Sequence, residues 1–235
     1  MTQGEAMARS MEALVEQQAR RWQLVRETRR DEERRPVLTV SRQHGAGGDE
    51  LVKTLAKQLQ LDVFDREIIQ QIAESTHLSE RVVGALDDKR RELLTEWLSG
   101  MASHDYLSSV EYRYQLTRVV GAVAHHGGAI IVGRGAHLIL GQGEALRVLV
   151  VAPLEARIAS VMKSEGLSER DARRQIQVVE ADRKAFLMKH FHTDFDDPAH
   201  FDLVVNTKLL GIARSCAAIG AAVESLTAAT KLAAR

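Results

Sequence analysis

The chain reads as an α/β protein with a doubly wound parallel sheet, and three features predict this class. Runs such as AIIV at 129–132 and RVLVV at 147–151 are almost continuously apolar, as strands covered on both faces must be. Longer segments with helical periodicity alternate with them. The first apolar run leads straight into a loop carrying Gly45, Gly47 and Gly48, and a helical pattern follows at once.

In chain order, residues 5–34 are polar and free of proline, with Met11, Leu14, Val15, Trp22 and Val25 near helical spacing. Pro36 disfavours helix in the residue before it, so residues 1–35 read as an appended amphipathic helix. It either lies on its own domain or serves as a dimer arm. Strands are predicted over 37–41, 62–64, 129–132, 147–151 and 203–206. Helices are predicted near 50–60, 67–75, 79–86, 92–99, 109–126 and 154–165. Ser168 and Asp171 form a capping signal for a helix reaching about residue 190. A last helix from about residue 210 places Ile212, Cys216, Ile219, Val223 and Leu226 on one face.

In a doubly wound sheet, ligands bind beyond the carboxyl ends of the strands. Three clusters fall there. In the loop from Arg42 to Asp49, glycines permit close approach, and a helix N-terminus directs N–H groups and a dipole at an anion. Against G-x-x-x-x-G-K-[ST], Arg42 takes the first glycine position, Gly48 the lysine and Asp49 the Ser/Thr, so only Gly47 fits. A glycine turn needed only for packing is the plainer reading. Asp65, after the second strand, can receive ribose or base donors, or simply cap the following helix. Arg134 lies between Gly133 and Gly135 just past the third strand, where its guanidinium can grip phosphate bidentately. On the later helices, Arg157 and Arg183 lie where a lid could present them to phosphates. Arg170, Arg173 and Arg174 read as a solvated face.

Lys plus Arg and Asp plus Glu both total 32 over 235 residues, so no global charge favours nucleic acid or an anionic membrane. Cys216 is the single cysteine, which suits a reducing cytoplasm. The charged N-terminus lacks the apolar core of a signal peptide, and no membrane span is expected. The nine histidines show no metal-ligand spacing, so no protein-bound metal site is expected.

The order SRQHGAGGDE, FDREI, VGRG and ADRKAFLMKHFHTDFDDPAHFDLVVNT resembles the cytidylate kinase-like family of P-loop proteins over about 36–210. The resemblance implies a nucleoside monophosphate kinase fold. Such a fold has a five-stranded parallel sheet, an acceptor insertion (about 66–127) and a lid (about 157–200), and here carries extra helices at 1–35 and 211–235. Against the family loop GPSGAGKGT, Gly45, Ala46 and Gly47 match, while Gly48 replaces the lysine and Glu50 the threonine. Gly133 and Arg134 match the acceptor motif GRD, whose aspartate is Gly135 here. The resemblance implies donor binding by Gly45, Ala46, Gly47, Gly48, Asp49 and Glu50, acceptor binding by Asp65, Arg66 and Arg134, and catalytic charge from Arg42, Arg157 and Arg183. ATP and Mg²⁺ follow as cofactors, and a nucleotide or other phosphorylated small molecule as partner, with a homodimer expected. Competing readings are a nucleotide-sensing module with little turnover, and an interaction protein that binds no nucleotide.

Overall fold

The structure, a computed structural model, describes residues 35–84, 86, 88–101, 110–141, 143–194 and 197–233. The helix expected over residues 5–34 lies outside them. The sheet strands are β1 (Val37–Arg42), β2 (Asp62–Phe64), β3 (Ala129–Val132), β4 (Leu146–Val151) and β5 (Leu203–Asn206). The helices are α1 (Gly48–Leu59), α2 (Arg66–Glu74), α3 (Thr76–Gly84), α4 (Asp88–Met101), α5 (Val110–His126), α6 (Ala136–Ile139), α7 (Leu154–Glu165), α8 (Glu169–Phe191) and α9 (Thr207–Ala233). A 3-10 turn covers Pro198–His200. The five expected strands are present to within one residue at each end. Helix α6 and the 3-10 turn leave no sequence signal, because neither is long enough to display a period.

The strand order is β2-β3-β1-β4-β5, and the sheet is parallel throughout. In register, Val40 of β1 faces Val148 of β4, and Val150 of β4 faces Val205 of β5. Strand β1 is central, and the chain crosses to β2 and β3 on one side of it and to β4 and β5 on the other. Its carboxyl end is therefore the switch point, where adjacent connections leave on opposite faces and open a crevice.

The chain divides into two compact units. One comprises residues 36–63 and 130–235. On one face of its sheet, Leu38, Val40, Val132, Val148 and Val150 pack with Leu51 and Leu55 of α1 and with Cys216, Ile219 and Val223 of α9. The C-terminal helix thus belongs to the central core through Cys216, Ile219 and Val223, while Leu226, expected on the same face, is exposed. It kinks at Gly211, whose φ of 72° lies in the left-handed region. The segment Thr207–Leu226 is long and apolar enough to cross a membrane by length and composition, yet only 22% of that window is buried inside the protein. The other unit contains α2 to α5, with α2, α3 and α4 each packed on α5. Ile69, Ile72, Val82, Leu94, Leu116 and Val120 are buried there. Arg91 donates through Nη2 to the Leu86 carbonyl at 3.0 Å and so satisfies an acceptor just past the end of α3.

Placing α9 in the core has a measurable consequence. Ile219→Ala should cost about 2–5 kcal/mol in urea unfolding, the usual range for deleting a buried aliphatic side chain. Leu226→Ala, two turns further on and 43% exposed, should cost less than about 1 kcal/mol. Equal effects would show that α9 is not held through that stripe.

Candidate active site

The site grows from the end of β1. Gln43 N donates to the Val150 carbonyl at 3.0 Å, carrying the ladder one residue past the strand. Ala46 N then donates to the Gln43 carbonyl at 3.2 Å and closes a turn, with Gly45 and Gly47 at φ of 80° and 73°. Gly47 is the N-cap of α1 and provides no side-chain cap. The N–H groups of the first helical turn therefore have no partner within the helix and face the loop's concavity. Thr207 Oγ1 donates to the Ala46 carbonyl at 2.7 Å, fastening the outer side of the loop to the start of α9.

Two of the glycines answer to the protein's own packing. A Cβ on Gly48 would lie 2.8 Å from both Cβ and Cδ of Arg42. Arg42 thus occupies the volume from which a lysine at this position would start. A Cβ on Gly45 would lie 2.7 Å from the Arg157 carbonyl oxygen. Arg42 Nε donates to Asp49 Oδ1 at 2.8 Å, and Glu50 beside it is exposed.

The later arginines come to the same loop. Arg157 is 7% exposed; its Nε donates to the Ala152 carbonyl at 3.1 Å, its Nη1 to the His44 carbonyl at 3.4 Å, and it pairs with Glu180 of α8. Arg183, one turn beyond Glu180, donates through Nη1 to the Arg42 carbonyl at 2.5 Å. Arg134 adopts φ of 52°, uncommon for a residue with a Cβ, and lays its guanidinium 4.8 Å from the centre of the Phe186 ring. A Cβ on Gly135 would overlap the Phe191 ring. One helix, α8, therefore reaches the loops after β1 and β3 and the first helix after β4. It does so with Glu180, Arg183 and Phe186, spaced by three along one face. Sequence reasoning singled out Arg183 and missed its neighbours; the three-residue spacing was the available signal.

Asp65 and Arg66 belong to the helical unit. Asp65 Oδ1 accepts from Ile68 N at 2.9 Å, which caps α2, and Arg66 pairs with Glu67 at 2.7 Å. Arg173 pairs with Glu155 and Glu169 on a solvated face. Among the described residues no group of three or more His, Cys, Asp or Glu is gathered to hold a metal.

A buried polar link runs beneath the loops. His137 Nδ1 lies 3.1 Å from Ser41 Oγ, and the ring stacks on Phe201 with centroids 4.6 Å apart. Burial, reinforced by His200 and Arg147, lowers the imidazole from 6.5 to about 3, so it is neutral in the fold. This hydrogen bond joins the strand before the glycine loop to the helix after Arg134. Cys216 is buried in the core, and desolvation, with Glu50 adding to it, pushes its thiol up, away from nucleophilic use.

A parallel α/β sheet with a glycine loop at its switch point and a helix bearing arginines over that loop defines a nucleoside monophosphate kinase-like protein. The chain belongs to the cytidylate kinase-like family, whose model matches residues 37–209. It is 23% identical over 180 residues to a cytidylate kinase of Staphylothermus marinus, covering 76% of this chain and 91% of that enzyme. The fold is similar to that of an uncharacterized protein from Eubacterium ventriosum, with a TM-score of 0.57, 15% identity, and 81% of this chain and 99% of that one covered. A shikimate kinase from Bacteroides thetaiotaomicron is also similar, at TM-score 0.44 and 16% identity over 80% and 98% of the two chains. Family membership gives the general activity of a nucleotide-binding phosphotransferase.

Two outcomes test this geometry. Gly48→Lys should destabilise the protein by about 1–3 kcal/mol through overpacking against Arg42. Adding Arg42→Ala in the same chain should recover most of that loss in thermal unfolding. Recovery by Arg42→Ala is the decisive reading, since a fault of the helix start itself would persist. The second outcome concerns pH. The unfolded chain protonates His137 first, so its contribution is complete above about 6.5 and is lost as pH falls towards about 3, by an amount on the order of 5 kcal/mol. His137→Asn should flatten that part of the acid-unfolding profile; an unchanged slope would assign the loss to other groups.

Proposed function

We propose that the protein transfers the γ-phosphoryl group of ATP to a nucleoside monophosphate, CMP or a similar small phosphorylated acceptor. The supporting observation is the position of Arg183. Its guanidinium reaches the carbonyl of Arg42, beside the loop from which the P-loop lysine is missing. A guanidinium is permanently charged and can bridge two phosphate oxygens, so it can take over the neutralisation a lysine supplies. In this reading the N–H groups of Gly45, Ala46, Gly47, Gly48, Asp49 and Glu50 cradle the donor phosphates. Arg42 and Arg183 stabilise the charge that develops on transfer, Arg157 holds the loop and the lid helix in place, and Arg134 grips the acceptor. The acceptor roles of Asp65 and Arg66 rest on the sequence match alone. Mg²⁺ brought in with ATP would supply further neutralisation of charge on the transferring phosphates. The scattered carboxylates fit an ion carried in by the nucleotide: Asp49 is engaged by Arg42, and Glu50 is one exposed ligand at most. Cytoplasmic location and homodimerisation through the apolar stripe of residues 11–25 are part of the same proposal. Sedimentation of the full chain against one lacking residues 1–35 tests the dimer.

One observation favours a nucleotide-sensing module instead. Arg42 Nε is held by Asp49, which places a carboxylate at the mouth of an anion site. Calorimetric titration with ATP and individual nucleoside monophosphates, with and without Mg²⁺, together with a coupled turnover assay, separates the two. Arg183→Ala should lower kcat by about 10³-fold or more and leave ATP affinity within a few-fold, as expected for a charge used in the transition state. Arg134→Ala should weaken the acceptor by about 1.5–3 kcal/mol and the donor far less. Tight nucleotide binding by the wild type with no transfer to any nucleoside monophosphate rejects the kinase reading in favour of the sensor.

A further inference from the structure

We propose that His44 is a proton-gated phosphate ligand: it takes up a proton as the donor nucleotide binds and then donates a hydrogen bond to a phosphoryl oxygen beside Arg183. The proposal rests on the phosphate-cradle reading of the loop and adds to it a residue and a proton.

His44 lies in the loop between Arg42 and Gly45, with its side chain 22% exposed. Its Nε2 is screened from water and makes no hydrogen bond among the described residues. The nearest carboxylate oxygen, Oε1 of Glu165 at the end of α7, is 4.0 Å away, too far to accept a hydrogen bond yet close enough to act through its charge. A buried polar nitrogen without a partner is costly to leave so, and sites of this kind repay inspection for a missing ligand.

Charged groups on three helices act on this ring. Arg183 and Glu180 come from α8, Glu165 from α7 and Asp49 from the first turn of α1. Arg157 Nη1 donates to the His44 carbonyl from the buried side. Burial is the largest influence and disfavours the imidazolium; Arg183 adds to it, and the three carboxylates oppose it less strongly. The balance places His44 below its ordinary 6.5, so the ring of the ligand-free protein is neutral at pH 7.

A bound phosphate reverses the balance. Two negative charges against the loop's N–H groups outweigh the repulsion from Arg183, whose own charge they also neutralise. The imidazolium is then favoured, and its Nε2–H obtains the acceptor it lacks. The proton comes from solvent and returns there when the nucleotide leaves, so no bond to phosphorus is made or broken in this step. The effect is a charge present only while the ligand is present. A fixed lysine would repel Arg42 and Arg183 in the empty loop, whereas a neutral histidine does not.

Linkage fixes the sign. ATP affinity should rise as pH falls from the higher value of His44 in the complex to the lower value in the free protein, by up to tenfold per pH unit. Below that window the slope disappears. The test is calorimetry of the full chain with Mg-ATP at pH 7 in two buffers of different ionisation enthalpy. Wild type should take up a sizeable fraction of one proton more than His44→Gln. Protons from the ATP γ-phosphate cancel in that difference. His44→Gln should still bind, several-fold more weakly, with a flatter pH dependence. A second measurement does not depend on the variant folding: the imidazole ¹⁵N signals of wild-type protein, titrated with and without Mg-ATP, should show one histidine whose midpoint rises by at least a pH unit. Equal proton uptake by both proteins, or no raised midpoint while ATP binds, overturns this proposal alone. Failure of wild type to bind ATP at all overturns the cradle reading and this proposal with it.

Discussion

The buried guanidinium of Arg157 is the constraint on which the site's architecture depends. A charge removed from water must have its donors satisfied, and Arg157 meets that requirement with the Ala152 carbonyl, the His44 carbonyl and the Glu180 carboxylate. Those three acceptors belong to the end of β4, the glycine loop and helix α8. One cation therefore sets the spacing of three elements that are far apart in sequence. Removing such a partner strands buried polar groups, which is why breaking a buried pair costs much more than an exposed ion pair contributes. The Asp49–Arg42 pair is of the exposed kind, with Asp49 side chain 75% accessible, and it shapes the loop's charge more than its stability.

From this hold the form of the loop follows. The Arg157 backbone approaches so closely that position 45 has no room for a side chain, and the chain there turns through positive φ, where glycine is least strained. Arg42 folds back across position 48 and gives the loop a cation of its own, in the space from which a lysine would have extended. A side chain at position 48 and Arg42 in this conformation would compete for the same space. The loop's positive charge is anchored on β1, tied to Asp49, with Arg183 joined to the Arg42 carbonyl.

The loop after β3 is governed by aromatic contact. Phe186 lies against the Arg134 guanidinium and Phe191 covers Gly135, so this corner is apolar where a carboxylate would have made it polar. Arg134 is held in a left-handed conformation by its two glycine neighbours and by the ring beneath it. Such strain persists where surrounding structure over-determines it, and it aims a side chain that an ordinary strand exit would direct elsewhere. Ser41 and His137 add a buried polar tie between this corner and β1.

The sequence by itself determined the sheet, because strands buried on both faces must be continuously apolar, and those runs place all five strands within a residue of their ends. It also determined the register of the last helix: Cys216, Ile219 and Val223 recur at helical spacing and do lie in the core. The glycine loop was legible because its strand, turn and helix are contiguous. Its steric logic was not, since Arg157 and Arg42 meet the glycines only after the chain has crossed the sheet. Likewise Asp65 and Ser168 could be read as caps from local spacing, whereas His137, an unremarkable histidine in sequence, becomes a buried neutral link only opposite Ser41. The functions of Glu180, Phe186 and Phe191 were equally hidden. Local patterns record the surface an element must bury; which loops a helix then reaches depends on contacts between residues distant in the chain, and those exist only in the folded molecule.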